Sequence, residues 1–420
     1  MINKLGSLFK GDRGIWAIFF ILCAISLVEV FSAVSSLAFK TGDYWAPIRQ
    51  HALFLLAGTA VVWTVHCVPC RWFRMFPVIV DFMAVCLLLY VLIRGAVVNG
   101  ASRWIDLDFV RFQPSELGKC GVVMTTALIL SKMQTKDGAD PKAFKWIMIV
   151  AGSITALIFT ENLSTAALLM AVVIMQMFIG RVPLKQLGKL LGVFALVGVM
   201  AGGSVWWLSK VDTDQKVEKV PVIGKVLHRG ETWVGRIEDK FVGDSSDDDP
   251  MTYDIDGKAQ VAHANIAIAS SNFVGRMPGN SVERDFLSQA FSDFIFAIII
   301  EELGIWGGFI VVALYVFLLF RVGRLAQHCE RCFPAFLAMG LALLLVTQAM
   351  MNMLVAVGLM PVTGQPLPLI SRGGTSTLIN CFYIGAILSV SRYARQAKQT
   401  AHTPFDGPMT GVVHEAEKTE

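Results

Sequence analysis

Charge is what this chain has least of. Only 16% of its 420 residues are Asp, Glu, Lys or Arg, against about a quarter in ordinary soluble domains. With 55% hydrophobic residues and a mean hydropathy of +0.60, the composition excludes a water-soluble globular protein and points to a bilayer. Cysteine is also sparse. None of the eight cysteines falls in a loop expected outside the membrane, so no disulfide framework is implied. Cys67 with Cys70 and Cys329 with Cys332 have a C-x-x-C spacing that suits zinc. Each pair lies at the end of an apolar helix, and the pairs are far apart in sequence, so they read as reduced structural thiols. The formal net charge is only +4; loop bias explains it, and no nucleic-acid partner is implied.

Long apolar runs are abundant. A transmembrane helix needs about 20 mostly apolar residues. Runs of that kind begin near Trp16, His51, Phe73, Ser115, Phe144, Leu163, Leu190, Asp293, Pro334 and Gly374. The expected fold is an all-α integral membrane protein of about ten transmembrane helices. Residues 1–420 then form a single polytopic domain, with a large extracytoplasmic loop over 210–290, between the seventh and eighth helices, and a cytoplasmic polar tail over 396–420. The first run is too long for the core of a cleaved signal peptide and reads as a retained span.

Lys and Arg cluster in alternate short loops. They precede the first run (Lys4, Lys10, Arg13), follow the second (Arg71, Arg74) and the fourth (Lys132, Lys136), and recur after the sixth, eighth and tenth. Positive residues stay on the cytoplasmic side, so both termini are expected there.

Against this apolar background the polar groups stand out. "NGASRWIDLDFVRFQPSELGKC", from Asn99 to Cys120, packs charges at an outer boundary and carries Glu116 and Lys119 into the next run. Pro114 suits the first turn of a helix, and an ionisable residue inside a span is a functional hypothesis by default. The alternative is a Glu116–Lys119 pair that merely neutralises itself. Asp293 opens a later run on the same side, with Glu301 and Glu302 expected about two turns deeper, near mid-membrane. Asn352 lies within the ninth run, and Thr363, Ser371 and Arg372 lie at the outer mouth of the tenth. Cations beside an isolated carboxylate suit a phosphorylated lipid whose polar head must react: the cations hold phosphate and the carboxylate takes a proton.

The blocks "GASRWIDLDFVRFQPSELGK", "GRMPGNS", "SDFIFAIIIEELGIWG" and "PVTGQPLPLIS" followed by "GGTS" closely resemble the signatures of the SEDS family, the shape, elongation, division and sporulation proteins of bacteria. The resemblance implies a multi-pass protein of the bacterial inner membrane, a peptidoglycan glycosyltransferase that polymerises lipid II into undecaprenyl-linked glycan. It also implies a class B penicillin-binding protein and other division proteins as partners. The family's catalytic carboxylate corresponds to Asp293. Its substrate-binding groups correspond to Arg103, Trp104, Gln113, Ser115, Glu116 and Lys119, beside the candidates Asn352, Thr363, Ser371 and Arg372, with Lys119 expected within reach of Asp293. No metal ligand is assigned. A divalent cation, Mg or Mn, is the one cofactor left open, because Asn162 stands where relatives carry an Asp, with Glu161 next to it. Two other readings stay open: a lipid II flippase, which internal inverted repeats would favour although the sequence displays none, and a non-catalytic scaffold of the division machinery.

Overall fold

The computed structural model describes residues 11–33, 45–94, 96–98, 101–107, 110–210, 259–287 and 290–402. Most of the expected 210–290 loop and the 396–420 tail therefore lies outside the described residues. Ten helices of 17 residues or more occur among them: α1 (Arg13–Ala33), α2 (Ala46–Cys67), α3 (Pro77–Arg94), α4 (Pro114–Lys132), α5 (Pro141–Glu161), α6 (Leu163–Ile179), α7 (Leu184–Lys210), α9 (Ile295–Gln327), α10 (Cys332–Ala356) and α11 (Thr375–His402). A shorter helix, α8 (Ala259–Ser270), precedes α9.

Local sequence accounts for where many of these begin. Proline opens α3, α4 and α5, where its missing N–H leaves no partner wanting. Asp12 accepts from the Gly14 and Ile15 N–H groups and Asp140 from Lys142 N–H, so each caps a helix start. Pro77 also corrects the expected start at Phe73, since residues 72–74 form a separate 3-10 turn.

Five helices, α1, α2, α5, α9 and α10, are long and apolar enough to cross a membrane by length and composition, and α3 and α6 are shorter apolar helices. The chain is a helical, multi-pass membrane protein. Helix α4 carries Glu116, Lys119 and Lys132, yet most of its residues are buried, because α3, α5, α6 and α10 surround it. A helix shielded from lipid by protein can carry charge at a cost that lipid exposure would not permit. Helix α10 is its central partner, packed against α4, α6, α9 and α11.

The all-α class stands with one small addition: β1 (Ala96–Val98), β2 (Ala101–Leu107) and β3 (Val110–Phe112) form a small antiparallel sheet in the order β1-β2-β3, with Trp104 opposite Ala96 and Asp106 opposite Arg111. The sequence hides it because strands of three to seven residues in a charged stretch carry little periodic signal. Helix α9, in turn, is not one continuous helix. Gly304, at φ 72° and ψ −176°, breaks it, and residues 305–327 alone, at about 1.5 Å per residue, suffice to cross roughly 30 Å of hydrocarbon. Glu301 and Glu302 thus precede a span-length segment and do not lie at its middle.

Candidate active site

The break in α9 is filled by the segment after α8. Arg276 N–H donates to the Glu301 carbonyl (3.0 Å) and Met277 N–H to the Glu302 carbonyl (2.8 Å). The Glu301 carboxylate accepts from Val282 N–H (3.0 Å) and Ser281 Oγ (2.5 Å) and pairs with Arg276 (3.4 Å). Glu302 accepts from Ser281 N–H and from Ser32 Oγ of α1. A Cβ at Gly275 would come within 2.3 Å of the Glu302 carbonyl oxygen, so only glycine permits this approach. Both carboxylates are buried; Glu301 is wholly engaged in holding this segment, while Glu302 Oε2 has no hydrogen-bond partner.

Asp293 sits two residues before α9, in the turn that leads to the N-cap residue Phe294, so it does not open the helix as the sequence suggests. It is partly exposed. Ser292 Oγ donates to its Oδ1 at 3.0 Å. The other carboxylate oxygen faces Gly364, whose φ of +68° brings bare backbone alongside; a Cβ there would be 3.7 Å from Asp293 Oδ2.

Three successive carbonyls lead up to and include this residue, and each accepts from a different donor. Arg372 N–H donates to Phe291 (3.1 Å), Ser371 Oγ to Ser292 (2.6 Å) and Asn352 Nδ2 to Asp293 (2.9 Å). Asn352 Nδ2 also donates to the Gln365 carbonyl at 2.8 Å, and Leu367 N–H donates to Ser371 Oγ at 2.8 Å. Gln365 Nε2 reaches Thr165 of α6 at 2.6 Å.

Lys119, 0% exposed, donates to Glu116 Oε1 at 2.7 Å and to Gln348 Oε1 at 2.9 Å. A fully buried ammonium is tolerated only when paired. Gln348 Nε2 donates in turn to the Pro366 carbonyl at 3.2 Å, and Gln348 lies one turn before Asn352 on α10. The sequence missed Gln348, although two amides four residues apart in an apolar helix, in "TQAMMNM", mark one polar face.

The other expected residues spread around this centre. Gln113 is the residue before α4, and its carbonyl accepts from Glu116 N–H at 3.1 Å. Ser115 Oγ and Glu116 Oε2 are buried without a hydrogen-bond partner, the kind of group that calls for a ligand or water. Trp104 is half-buried in β2, and of Arg103, in the same strand, only the backbone is described. Thr363 is buried. Arg372 Nη2 donates to Gln50 Oε1 of α2 at 2.7 Å, and its guanidinium lies over the Phe291 ring, 5.8 Å from the centroid. Burial holds the Arg372 pKa below its ordinary value.

Asn162, the position on which the cation expectation turned, lies between α5 and α6. Its Oδ1 accepts from the Ser164 and Thr165 N–H groups, capping α6. Among the described residues no group of three or more His, Cys, Asp or Glu stands close enough to hold a metal.

Residues 12–396 match the family of cell cycle proteins that comprises FtsW, RodA and SpoVE. The chain belongs to this family. Among curated FtsW/RodA/SpoVE relatives, it is similar to the probable peptidoglycan glycosyltransferase FtsW of Nitrosomonas europaea, 32% identical over 88% of this chain and 90% of that one. It is likewise similar to the FtsW of Aromatoleum aromaticum, at 31% identity over 90% and 87%. Its fold is similar to a chain of a peptidoglycan synthase complex, with TM-score 0.68, 24% identity, and 92% and 99% of the two chains covered. The RodA of Thermus thermophilus gives TM-score 0.61 at 22% identity, over 91% and 97%.

Proposed function

We propose that this protein is a peptidoglycan glycosyltransferase that polymerises lipid II, with Asp293 as its general base. The observation that carries this reading is Asp293 itself: a partly exposed carboxylate, held at the head of α9, in a chain 32% identical over 88% of its length to a relative named for that activity.

In this reading the carboxylate takes the proton from a hydroxyl of one lipid-linked sugar. That oxygen bonds to the anomeric carbon of a second sugar as the bond to undecaprenyl pyrophosphate breaks, with inversion at carbon. The pyrophosphate leaves as an anion, so no second carboxylate need protonate it. Arg103 and Arg372 supply positive charge for the phosphates, and Lys119 sets the field around the start of α4. Developing charge in a water-poor site is stabilised most by such fixed groups. No step runs through a metal.

The topology that goes with this reading has both termini in the cytoplasm, about ten spans and an outer loop over residues 210–290, supported by the alternation of Lys and Arg loops. The proposed partner is a class B penicillin-binding protein, beside other division proteins. The test is the purified protein with labelled lipid II, with and without such a partner, scored for polymer on a gel. Polymer in either condition supports the enzyme. Transfer of lipid II between leaflets of a vesicle without polymer would support a flippase instead.

A further inference from the structure

We propose that Ser371 and Asn352 are positioning residues, which fix the place and direction of the Asp293 carboxylate and do not themselves bind substrate. The proposal rests on the reading of Asp293 as the base. It replaces the sequence expectation that counted both among the substrate contacts.

A count of donors carries the argument. Asn352, 1% exposed, has two N–H donors, and its Nδ2 serves the carbonyls of Asp293 (2.9 Å) and Gln365 (2.8 Å). Ser371, 2% exposed, has one O–H, and it goes to the Ser292 carbonyl at 2.6 Å. An amide nitrogen offers two donors and a hydroxyl one, so neither side chain has a donor left for a phosphate or a sugar oxygen; Asn352 Oδ1 has no partner but is itself buried, and as an acceptor it offers nothing to a phosphate. Both reach the same short turn. Together with Arg372 N–H on the Phe291 carbonyl they hold three successive carbonyls, 291, 292 and 293, in a stretch outside any helix. These carbonyls lie before the helix and belong to none of its backbone ladder, so the outside donors help to set the conformation of the turn.

The arrangement also joins distant parts of the chain at the base. Ser371 belongs to the loop before α11 and Asn352 to α10. Ser26 Oγ on α1 donates to the Ile370 carbonyl at 2.7 Å, which anchors the Ser371 loop from behind. Shifting any of these supports moves the carboxylate relative to a sugar held by other groups. A displacement of about 1 Å costs on the order of 10²-fold in rate.

The test compares Ser371→Ala, Ser371→Thr and Asn352→Asp with the parent in a steady-state lipid II polymerisation assay, with thermal melts to establish folding. Asn352→Asp keeps the shape of the side chain and loses both donors, while Ser371→Thr keeps the hydroxyl. Ser371→Ala and Asn352→Asp are expected to lower kcat about 10- to 100-fold with KM for lipid II within about twofold, a pattern of lost transition-state interaction. Ser371→Thr is expected to recover most of that loss. In an Asp293→Asn background, adding Ser371→Ala should cost little more, since both changes act through one group. Raised KM with kcat kept, or a loss that multiplies fully onto that of Asp293→Asn, would overturn the positioning role. Should Ser371→Ala fail to fold, Asn352→Asp and Ser371→Thr still decide it by the same split. Near-parental turnover of Asp293→Asn alone would instead defeat the reading of the base, a distinct outcome.

Discussion

The ammonium of Lys119 donates to Gln348 Oε1 at 2.9 Å, across 229 residues of sequence. Through this contact, and the 2.7 Å pair with Glu116, a charge on α4 is locked to the helix that also holds Asp293 in place. Lys119→Met leaves a buried carboxylate without its counter-ion and should cost about 3 kcal/mol or more. Pairing it with Glu116→Gln should restore thermal stability but not polymerisation. A double variant that polymerises like the parent would reduce Lys119 to a mere neutraliser of Glu116.

Asp293→Asn keeps the side-chain shape and cannot take a proton. A general base contributes roughly 10²- to 10⁴-fold, so polymerisation should fall by that factor while lipid II binding survives. Activity within about threefold of the parent, well short of the loss a base implies, would move the base elsewhere, with Glu116 next in line.

Gly275→Ala should destabilise the protein with little direct effect on chemistry. Its φ is +76°, and a Cβ would meet the Glu302 carbonyl oxygen at 2.3 Å. An L side chain forced into such a conformation costs on the order of 1–3 kcal/mol before the clash is counted. A lowered melting temperature in detergent, with turnover per folded molecule unchanged, is the expected result. Unchanged melting would mean that the 275–282 segment is not seated on the α9 break in solution.

Topology is open to labelling. Asn280 and Asp137 are both exposed and lie in loops expected on opposite sides of the membrane. An impermeant maleimide applied from outside should reach Asn280→Cys and miss Asp137→Cys. The reverse pattern would put Asp293 on the wrong side for lipid-linked sugars.

The thiols give a pH-dependent prediction. Burial pushes Cys70 up to about 12, with Cys329 adding to the shift, and pushes Cys329 up to about 11. Raised values keep both protonated through neutral pH, and a protonated thiol alkylates slowly. At pH 8 the exposed Cys67 and Cys332 should alkylate first, with Cys70 and Cys329 reacting only as the pH nears those values or the protein unfolds. Zinc that copurifies in stoichiometric amount, with melting lowered by a chelator, would refute this.

The sequence by itself determined what depends on near neighbours and on composition. Apolar runs place nine of the ten long helices within a few residues of where they fold and α7 somewhat earlier than expected, because a run that can cross hydrocarbon must satisfy its own backbone. Prolines set the starts of α3, α4 and α5. Glu116 and Lys119, three apart on one helix, were legible as a pair, and the motif blocks marked Asp293. Tertiary structure alone decided the rest. The break at Gly304 exists because residues 275–282 enter it. Strands β1 to β3 are too short to announce themselves. The supports of Asp293 come from Asn352 and Ser371, about 60 and 80 positions away. Hydrogen bonds of that range leave no period in the sequence, since their donors are chosen by where the packed helices bring the backbone, and that depends on every helix at once.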